Sequence, residues 1–498
     1  MFSAFINCFK IPELRQRLIF TLALLVIVRL GAAIPCPGIN PAVLSEYFKT
    51  VINQGQQGNI IGMVNLFSGG ALENCAIFSL TIMPYISASI IMQLAVGVIP
   101  QLGKLAREEG GRQKITQYTR FGTLILCLLQ GYMLAASFEN PEKIPMLNGI
   151  GAVIERMGPL VADPGLAFRL TTMITLTAGT MLLMWLGEQI TDKGIGNGIS
   201  MVITIGIVAK LPAALVAAWN MINPPAGSGK DALSPLVLVL LIGFLFVVIA
   251  GTIMITQAMR KVPVQYARQV RGNKVYGGQS SFLPLKVNYS GVMPIIFANA
   301  ILLFPATFIN LMFPHNNAAN RFGQMLSDGW VHYTLYASMI FFFSYFWVAM
   351  VFNPTQIADD MKKHGGFIPG VRPGTPTSGF LDFSMTRLTF AGAVFLTVLA
   401  VLPMGLSKLM KVPYITASFF GGTSLLIVVG VMLDTMRQTE TYLLQRHYDG
   451  FLKKGRIRGR SFGSGGAGAS VPEEKIFWLL VAIGVIVIGG IVASLLRG

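Results

Sequence analysis

The sequence predicts an all-α polytopic membrane protein, and three observations carry that reading. Hydrophobic residues make up 53% of the 498 positions and charged residues only 12%, against about 25% charged in soluble domains. Apolar runs recur along the chain, most of them near the ~20 residues that a helix needs to cross a bilayer. The 38 Lys and Arg, against 21 Asp and Glu, gather in alternate connections between those runs.

Taken in order, the spans fall at 18–36, 76–100, 118–138, 168–187, 196–217, 235–257, 289–312, 334–353, 388–406, 414–434 and 476–496. The first run is long and no small-residue cleavage site follows it closely, so it reads as an uncleaved first span. Most basic residues fall on one side if the N-terminus is cytoplasmic, which sets the orientation by the positive-inside rule. The polar stretch Asn220–Pro235 divides the first ten spans into five and five. An odd number per half means that the second half enters from the opposite face. Two inverted five-helix halves place a pathway between them. The expected organisation is an N-terminal half at 1–218, a hinge loop at 219–234 and a C-terminal half at 235–450. A basic tail and Gly/Ser linker at 451–475 follow, then an extra C-terminal span at 476–498.

The stretch from Asn59 to Pro100 has two parts. Residues 59–74 hold a short apolar piece ending at Ser68-Gly69-Gly70, too short to span. Residues 76–99 are long enough, with Pro84 inside, where a proline removes a helix hydrogen bond and invites a kink. A half-length apolar piece beside a full one suggests a segment that dips in and returns, which survives only buried in protein or lining a cavity. The plain alternative is a surface turn before a kinked helix.

Beside the short, mixed-charge connection at 101–117, two cytoplasmic connections stand out. Residues 257–288 hold Arg260, Lys261, Arg268, Arg271, Lys274 and Lys286 and no acid, and residues 353–386 hold a Gly/Pro-rich run around Arg372. Such loops act as topogenic signals near lipid headgroups. The length of the first, with Tyr266 and Tyr276, also suits docking of a polyanion such as ribosomal RNA.

Catalytic chemistry finds little support. Cys8, Cys36, Cys75 and Cys127 form no CxxC pair and suggest neither a metal site nor a disulfide framework. The four histidines form no HExxH. Gly459-Arg460-Ser461-Phe462-Gly463 matches GxSxG, but in a basic tail with no strand before it. Gly229-Lys230 lacks the P-loop Ser/Thr, with Asp231 in its place. No cofactor and no enzymatic activity are expected. The alternative function is a secondary transporter. It would need ionisable groups at the membrane midplane, and the span interiors look nearly bare apart from Arg29.

Longer motifs then come into play. Gly69-Gly70-Ala71-Leu72, Ile82-Met83-Pro84-Tyr85-Ile86-Ser87-Ala88-Ser89-Ile90 and Gly187-Glu188-Gln189-Ile190-Thr191 through Gly194–Ser200 resemble the SecY/Sec61-alpha family of protein-conducting channels. So do Pro284–Asn288, Pro369–Gly374 and Gly421–Val428, and together they cover roughly residues 10–460. The resemblance implies a ten-helix channel that passes unfolded polypeptides across the bacterial plasma membrane and releases hydrophobic segments laterally. It implies a plug near 59–74, including Asn65, Leu66, Phe67, Ser68, Gly69 and Gly70. It implies a pore ring of Ile82, Ile86, Ile199, Ile203, Ile296 and Ile427. Branched apolar side chains at such a ring exclude water by dewetting. A lateral gate would carry Gln93, Thr123 and Asn288. Arg260, Lys261, Arg268, Arg271, Lys274 and Arg372 would dock a SecA motor or the ribosome through its RNA and exit-site proteins. The other implied partners are SecE-type and SecG-type small subunits, translocating chains with their signal sequences, and membrane lipids. Two departures stand out: residues 461–498 extend past the usual tail, and the loop from Asn140 to Gly165 is long.

Overall fold

The computed structural model describes residues 11–54, 65, 68–106, 108, 110–139, 141, 150–223, 235–266, 269–271, 274–276, 280–312, 317–327, 329–410, 419 and 423–453. Of the hinge loop expected at 219–234, residues 219–222 still belong to a helix, while 224–234, the linker and the extra span at 476–498 lie outside these residues.

Six helical stretches among the described residues are long and apolar enough to cross a membrane: Gly111–Glu139, Leu166–Lys193, Gly198–Asn220, Val239–Gln257, Trp330–Lys363 and Thr375–Leu402. Met83–Val98 and Met293–Leu302 are shorter apolar helices. The described chain packs into two compact units, each built from separate stretches. The first comprises Met1–Tyr85, Gly122–Ala250 and Pro403–Gly498, the second Ile86–Phe121 and Gly251–Leu402.

In the first unit, α1 (Pro12–Gly31) starts at a proline in its first turn and ends with Arg29 in its last. Both suit a helix, since proline loses no bond at the start and a cation faces the negative end of the dipole. Helix α1 buries Leu14, Thr21, Leu25 and Val28 yet also exposes Ile19, Leu22, Val26 and Leu30. With Arg15, Arg17 and Arg29 among its 20 residues, it is not one of the six stretches above. A short helix, α2 (Pro41–Gln54), follows. Its Val43, Leu44, Tyr47 and Phe48 share a core with Ile150, Val153, Leu160 and Phe168.

Residues 68–82 form successive turns rather than the start of a span. The helix expected from 76 begins only at Met83, as α3 (Met83–Val98). Pro84 therefore lies in a first turn, where no intrahelical N–H is missed, and starts the helix instead of kinking it. A short helix α4 (Pro100–Leu105) and a long α5 (Gly111–Glu139) follow, then α6 (Gly151–Met157) and α7 (Leu166–Lys193).

The connection from α7 to α8 (Gly198–Ala209) is the Gly194–Ser200 motif. A Cβ on Gly198 would lie 1.9 Å from the Gly187 carbonyl, so only glycine permits the turn. Asn197 caps α8 by accepting from the Ser200 amide. Gly198 N–H donates to Thr191 Oγ1 at 2.9 Å, and Ile195 N–H to Thr21 Oγ1 at 3.2 Å. Helix α9 (Leu211–Ile222) follows Lys210, and α10 (Pro235–Gln257) follows that.

The expectation of helices alone is incomplete in the second unit. Residues 259–286 fold as strands: β1 (Met259–Tyr266), β2 (Gln269–Arg271), β3 (Lys274–Tyr276) and β4 (Ser280–Lys286). The antiparallel pair β1–β4 runs from Met259↔Lys286 to Gln265↔Ser280. Helices α11 (Met293–Met312), α12 (Asn317–Ser327), α13 (Trp330–Val351) and α14 (Pro354–Lys363) follow. Then β5 (Gly366–Phe367) adds to β1 on the other side, giving the order β4-β1-β5. Two long helices, α15 (Thr375–Met410) and α16 (Thr423–Lys453), complete the described chain. The sheet has its own core: Val262, Leu285 and Ile368 pack with Val348, Phe352, Leu381 and Met385.

Candidate functional site

The turns at 68–82 lie in a seat made by α1, α7 and α8. At each close approach one side of the contact is a glycine. A Cβ on Gly31 would strike the Phe78 ring, one on Gly179 the Ile77 carbonyl at 2.1 Å, and one on Gly69 the Cα of Gly206 at 2.7 Å. Ala71, Ala76 and Phe78 join Leu25, Val28, Leu183, Leu186, Ile190 and Val202 in one apolar core.

Polar contacts hold the segment where apolar packing cannot. Arg29, a charge within the first span, donates from Nη1 to the Gly69 carbonyl at 3.1 Å. Lys210 pairs with Glu73. Asn65 ties the segment to itself: its Oδ1 accepts from the Glu73 amide and its Nδ2 donates to Glu73 Oε2, both at 3.2 Å. Ser68 Oγ donates to the Asn65 carbonyl at 3.0 Å and accepts from the Leu72 amide at 3.3 Å. Glycine at 69 and 70 follows from this arrangement. Both have positive φ, 63° and 90°, and a Cβ would sit 2.7 Å from Arg29 Nη1 in one case and 2.8 Å from Lys210 Nζ in the other. The two cations reach the turn because no side chain is in the way.

Asn65, Ser68, Gly69 and Gly70 thus come together, whereas Leu66 and Phe67 lie outside the described residues. Sequence reasoning passed over Glu73 and Lys210. Lys210 lies inside the run read as the span 196–217, so that run is not bare of charge. A lysine there and an acid beside the double glycine were the available signal.

Of the six isoleucines, Ile82, Ile199, Ile203 and Ile427 belong to the first unit and Ile86 and Ile296 to the second. Ile82, Ile86, Ile203, Ile296 and Ile427 are buried and Ile199 is half-buried. Ile199 and Ile203 are four residues apart on α8 and so share a face. Helix α8 packs on α16, which carries Ile427.

Among the gate residues, Thr123 and Asn288 are buried and Gln93 is half-buried. Gln93 Nε2 donates to Ser89 Oγ at 3.2 Å within α3. Asn288 Nδ2 donates to the Gly291 carbonyl and its Oδ1 accepts from Ser290 Oγ, both at 3.1 Å.

The basic residues form a second group. Arg260 and Lys261 are exposed on β1, with Lys261 Nζ 5.1 Å above the Phe282 ring. Because β5 pairs with Gln265 and Tyr266 of β1, the loop at 368–374 leaves from the same sheet. Its Ile368 and Val371 pack into the sheet's core, and Arg372 is exposed between Gly370 and Gly374, both at positive φ. The Arg372 carbonyl accepts from Thr377 Oγ1 at 2.8 Å. Arg271 and Lys274 are register partners of β2 and β3; Arg268 lies outside the described residues. Among the described residues no group of three or more His, Cys, Asp or Glu could hold a metal ion.

The chain is similar to known proteins over most of its length. The family model SecY matches residues 76–436. The protein translocase subunit SecY of Chlamydia muridarum is 44% identical over 455 residues, 91% of this chain and 98% of that one. The subunit of the same name from Escherichia coli K12 is 44% identical over 451 residues, 90% and 96% of the two chains. Two solved structures share the fold. One, described as "The structure of a protein conducting channel", has a TM-score of 0.59 at 18% identity, covering 89% of this chain and 94% of that one. The other, "Sec61 in the Canine ribosome-channel complex from the endoplasmic reticulum", has a TM-score of 0.56 at 16% identity with the same coverage.

Proposed function

The chain belongs to the SecY family, and on that premise we propose how its parts conduct a polypeptide. It is a protein translocase subunit with the fold of a protein-conducting channel, which leaves the secondary-transporter alternative without support. It is a membrane protein of the bacterial envelope, multi-pass, with its N-terminus in the cytoplasm.

The residues around 59–74 act as a plug and the six isoleucines as the ring through which an unfolded chain passes. An apolar ring offers no specific polar contact, so it fits a chain of any sequence and closes dry behind it. The two five-span halves, 1–218 and 235–450, part along a seam carrying Gln93, Thr123 and Asn288, where a hydrophobic segment leaves for lipid. The bonds of such residues are worth about 1 kcal/mol each in a membrane, little enough for a signal sequence to displace. SecE-type and SecG-type subunits accompany the chain. A SecA motor or a ribosome docks on Arg260, Lys261, Arg268, Arg271, Lys274 and Arg372. The chain itself performs no chemistry.

The observation that carries this reading is the seat of residues 68–82: a compact turn held in an apolar core by two cations that reach it only through glycine. The test is to stall a secretory chain in the channel and crosslink it to cysteines placed at Ile86 and Ile203, with exposed Ile174 as the outward control. Crosslinks at the first two and none at Ile174 are expected. Crosslinks equal at all three, or absent at Ile86 and Ile203, would remove the pathway.

A further inference from the structure

Cys36 and Cys75 are far apart in the sequence, but the backbone makes them neighbours. Pro35 and Ala76 form an antiparallel bridge. Ile77 N–H donates to the Ile34 carbonyl at 3.0 Å and Cys36 N–H to the Cys75 carbonyl at 2.8 Å. This pattern sets Cys36 opposite Cys75. Cys75 itself turns at positive φ, 47°, but the direct backbone bond keeps the two Cα atoms roughly 5–6 Å apart, within the about 4.4–6.8 Å that a disulfide needs; in this structure both thiols are free. Both side chains enter the same core, beside Val43, Leu44 and Leu72. Both are buried, 2% and 0% exposed, and Cys36 adds to burial in raising the Cys75 thiol.

We propose that Cys36 and Cys75 are joined by a disulfide at the outward end of the channel, fastening the end of the plug segment to the turn after α1. The inference rests on the orientation proposed above, which puts both residues on the oxidising side of the membrane. The oxidant is a disulfide of the extracytoplasmic space, on a protein or a small thiol. The Cys36 thiolate attacks it and displaces one donor thiolate. The Cys75 thiolate then attacks the mixed disulfide at the Cys36 sulfur and releases the second. Each cysteine proton ends on a donor sulfur, and two electrons pass from the pair to the donor.

The burial sets the timing. At 2% exposure Cys36 is closed to any donor in the folded protein. The bond therefore forms during insertion, before this core closes. Once formed it fixes position 75, and residues 65–74 leave their seat only by pivoting there.

The test counts thiols in the full chain. Membranes are quenched in acid, denatured and treated with a polyethylene-glycol maleimide, with and without prior reduction. The chain has four cysteines. Two additions before reduction and four after are expected, with Cys36→Ser and Cys75→Ser each giving three in both conditions. Four additions before reduction would overturn the disulfide. A separate measurement reads the orientation: Asp163→Cys, placed in a Cys36→Ser/Cys75→Ser background, labelled on intact cells with an impermeant maleimide. Asp163 is exposed close to Val161, which bridges to Ile39, so it reports the same end of the unit. Labelling together with four free thiols sinks the disulfide alone. Absence of labelling overturns the orientation, and with it the oxidising side that the disulfide needs.

Discussion

Arg29 and Lys210 place their charges on a carbonyl and a carboxylate inside the first unit, whereas Arg260, Lys261 and Arg372 of the second hold theirs in water. The two regions use the same residue types for opposite ends. An inward cation, only partly open to water, gains most from a partner within the protein. It therefore fixes one conformation of the segment it touches. An outward cation costs little to leave alone and retains its capacity to bind. Glycine serves both regions, again differently. Gly69 and Gly70 let cations approach the backbone, while Gly370 and Gly374 turn a loop so that an arginine stands clear of it. On the proposed function, charge in the first region locks and charge in the second recruits.

The sharpest way to break the comparison is to reverse one outward charge. Arg372→Glu leaves the sheet core of Val262, Leu285 and Ile368 untouched, so the protein should insert and accumulate normally. Docking of an acidic or RNA partner should weaken by about 3 kcal/mol, roughly a hundredfold. Partner-driven transport into reconstituted vesicles reads this directly, and normal transport would remove recruitment from this loop.

Next in size is the apolar ring. Ile427 is fully buried, and Ile427→Asn puts an amide where no water reaches in the closed state. Leaving that amide unsatisfied costs about 2 kcal/mol, roughly thirtyfold towards any hydrated open form. Export of proteins with defective signal sequences and resting ion leak should both rise. Ile296→Asn, in the other unit, should act the same way. If neither variant changes export or leak, these residues are only core.

The inward charges give a smaller effect. Glu73→Gln keeps the shape of the side chain but leaves Lys210 without its counter-charge. The closed seat should lose about 1–2 kcal/mol and resting leak should rise roughly tenfold. Glu73→Gln combined with Lys210→Gln should recover part of that loss, since the two residues share one interaction. Additive losses in the double variant would show that the pair does not act as a lock.

These variants also show what could be read from the sequence. The membrane class and the Gly-rich turns were legible, because hydropathy and local motifs are properties of neighbouring residues. The seat was only half legible. Gly69 and Gly70 stood out, but Glu73 and Lys210 lie 137 positions apart, and nothing local announces such a pair. Cys36 and Cys75 were hidden in the same way. The strands were missed for another reason. Val262 and Val264 alternate with exposed residues as a half-buried strand requires, but Pro263 between them and the basic residues around them read as loop.

The comparison also predicts where change should matter least, in a stretch with neither an inward pair nor an outward cluster of charge. Ile476 to Leu496 carries no charged residue and lies outside the described residues. As a helix its 21 residues, at about 1.5 Å each, would reach ~30 Å, enough to cross. Gly489 and Gly490 would allow close contact with another helix. As a flexible chain the 22 residues between Lys453 and Ile476 would average about 23–28 Å end to end, so such a span would stay near the end of α16 and act as an accessory. Truncation after Arg460 should leave translocation within about twofold of the full chain, and a reporter fused after Gly498 should be active only outside the cytoplasm. A dead channel on truncation would mean that the locked and recruiting regions depend on a third. A cytoplasmic reporter signal would mean that the stretch does not cross.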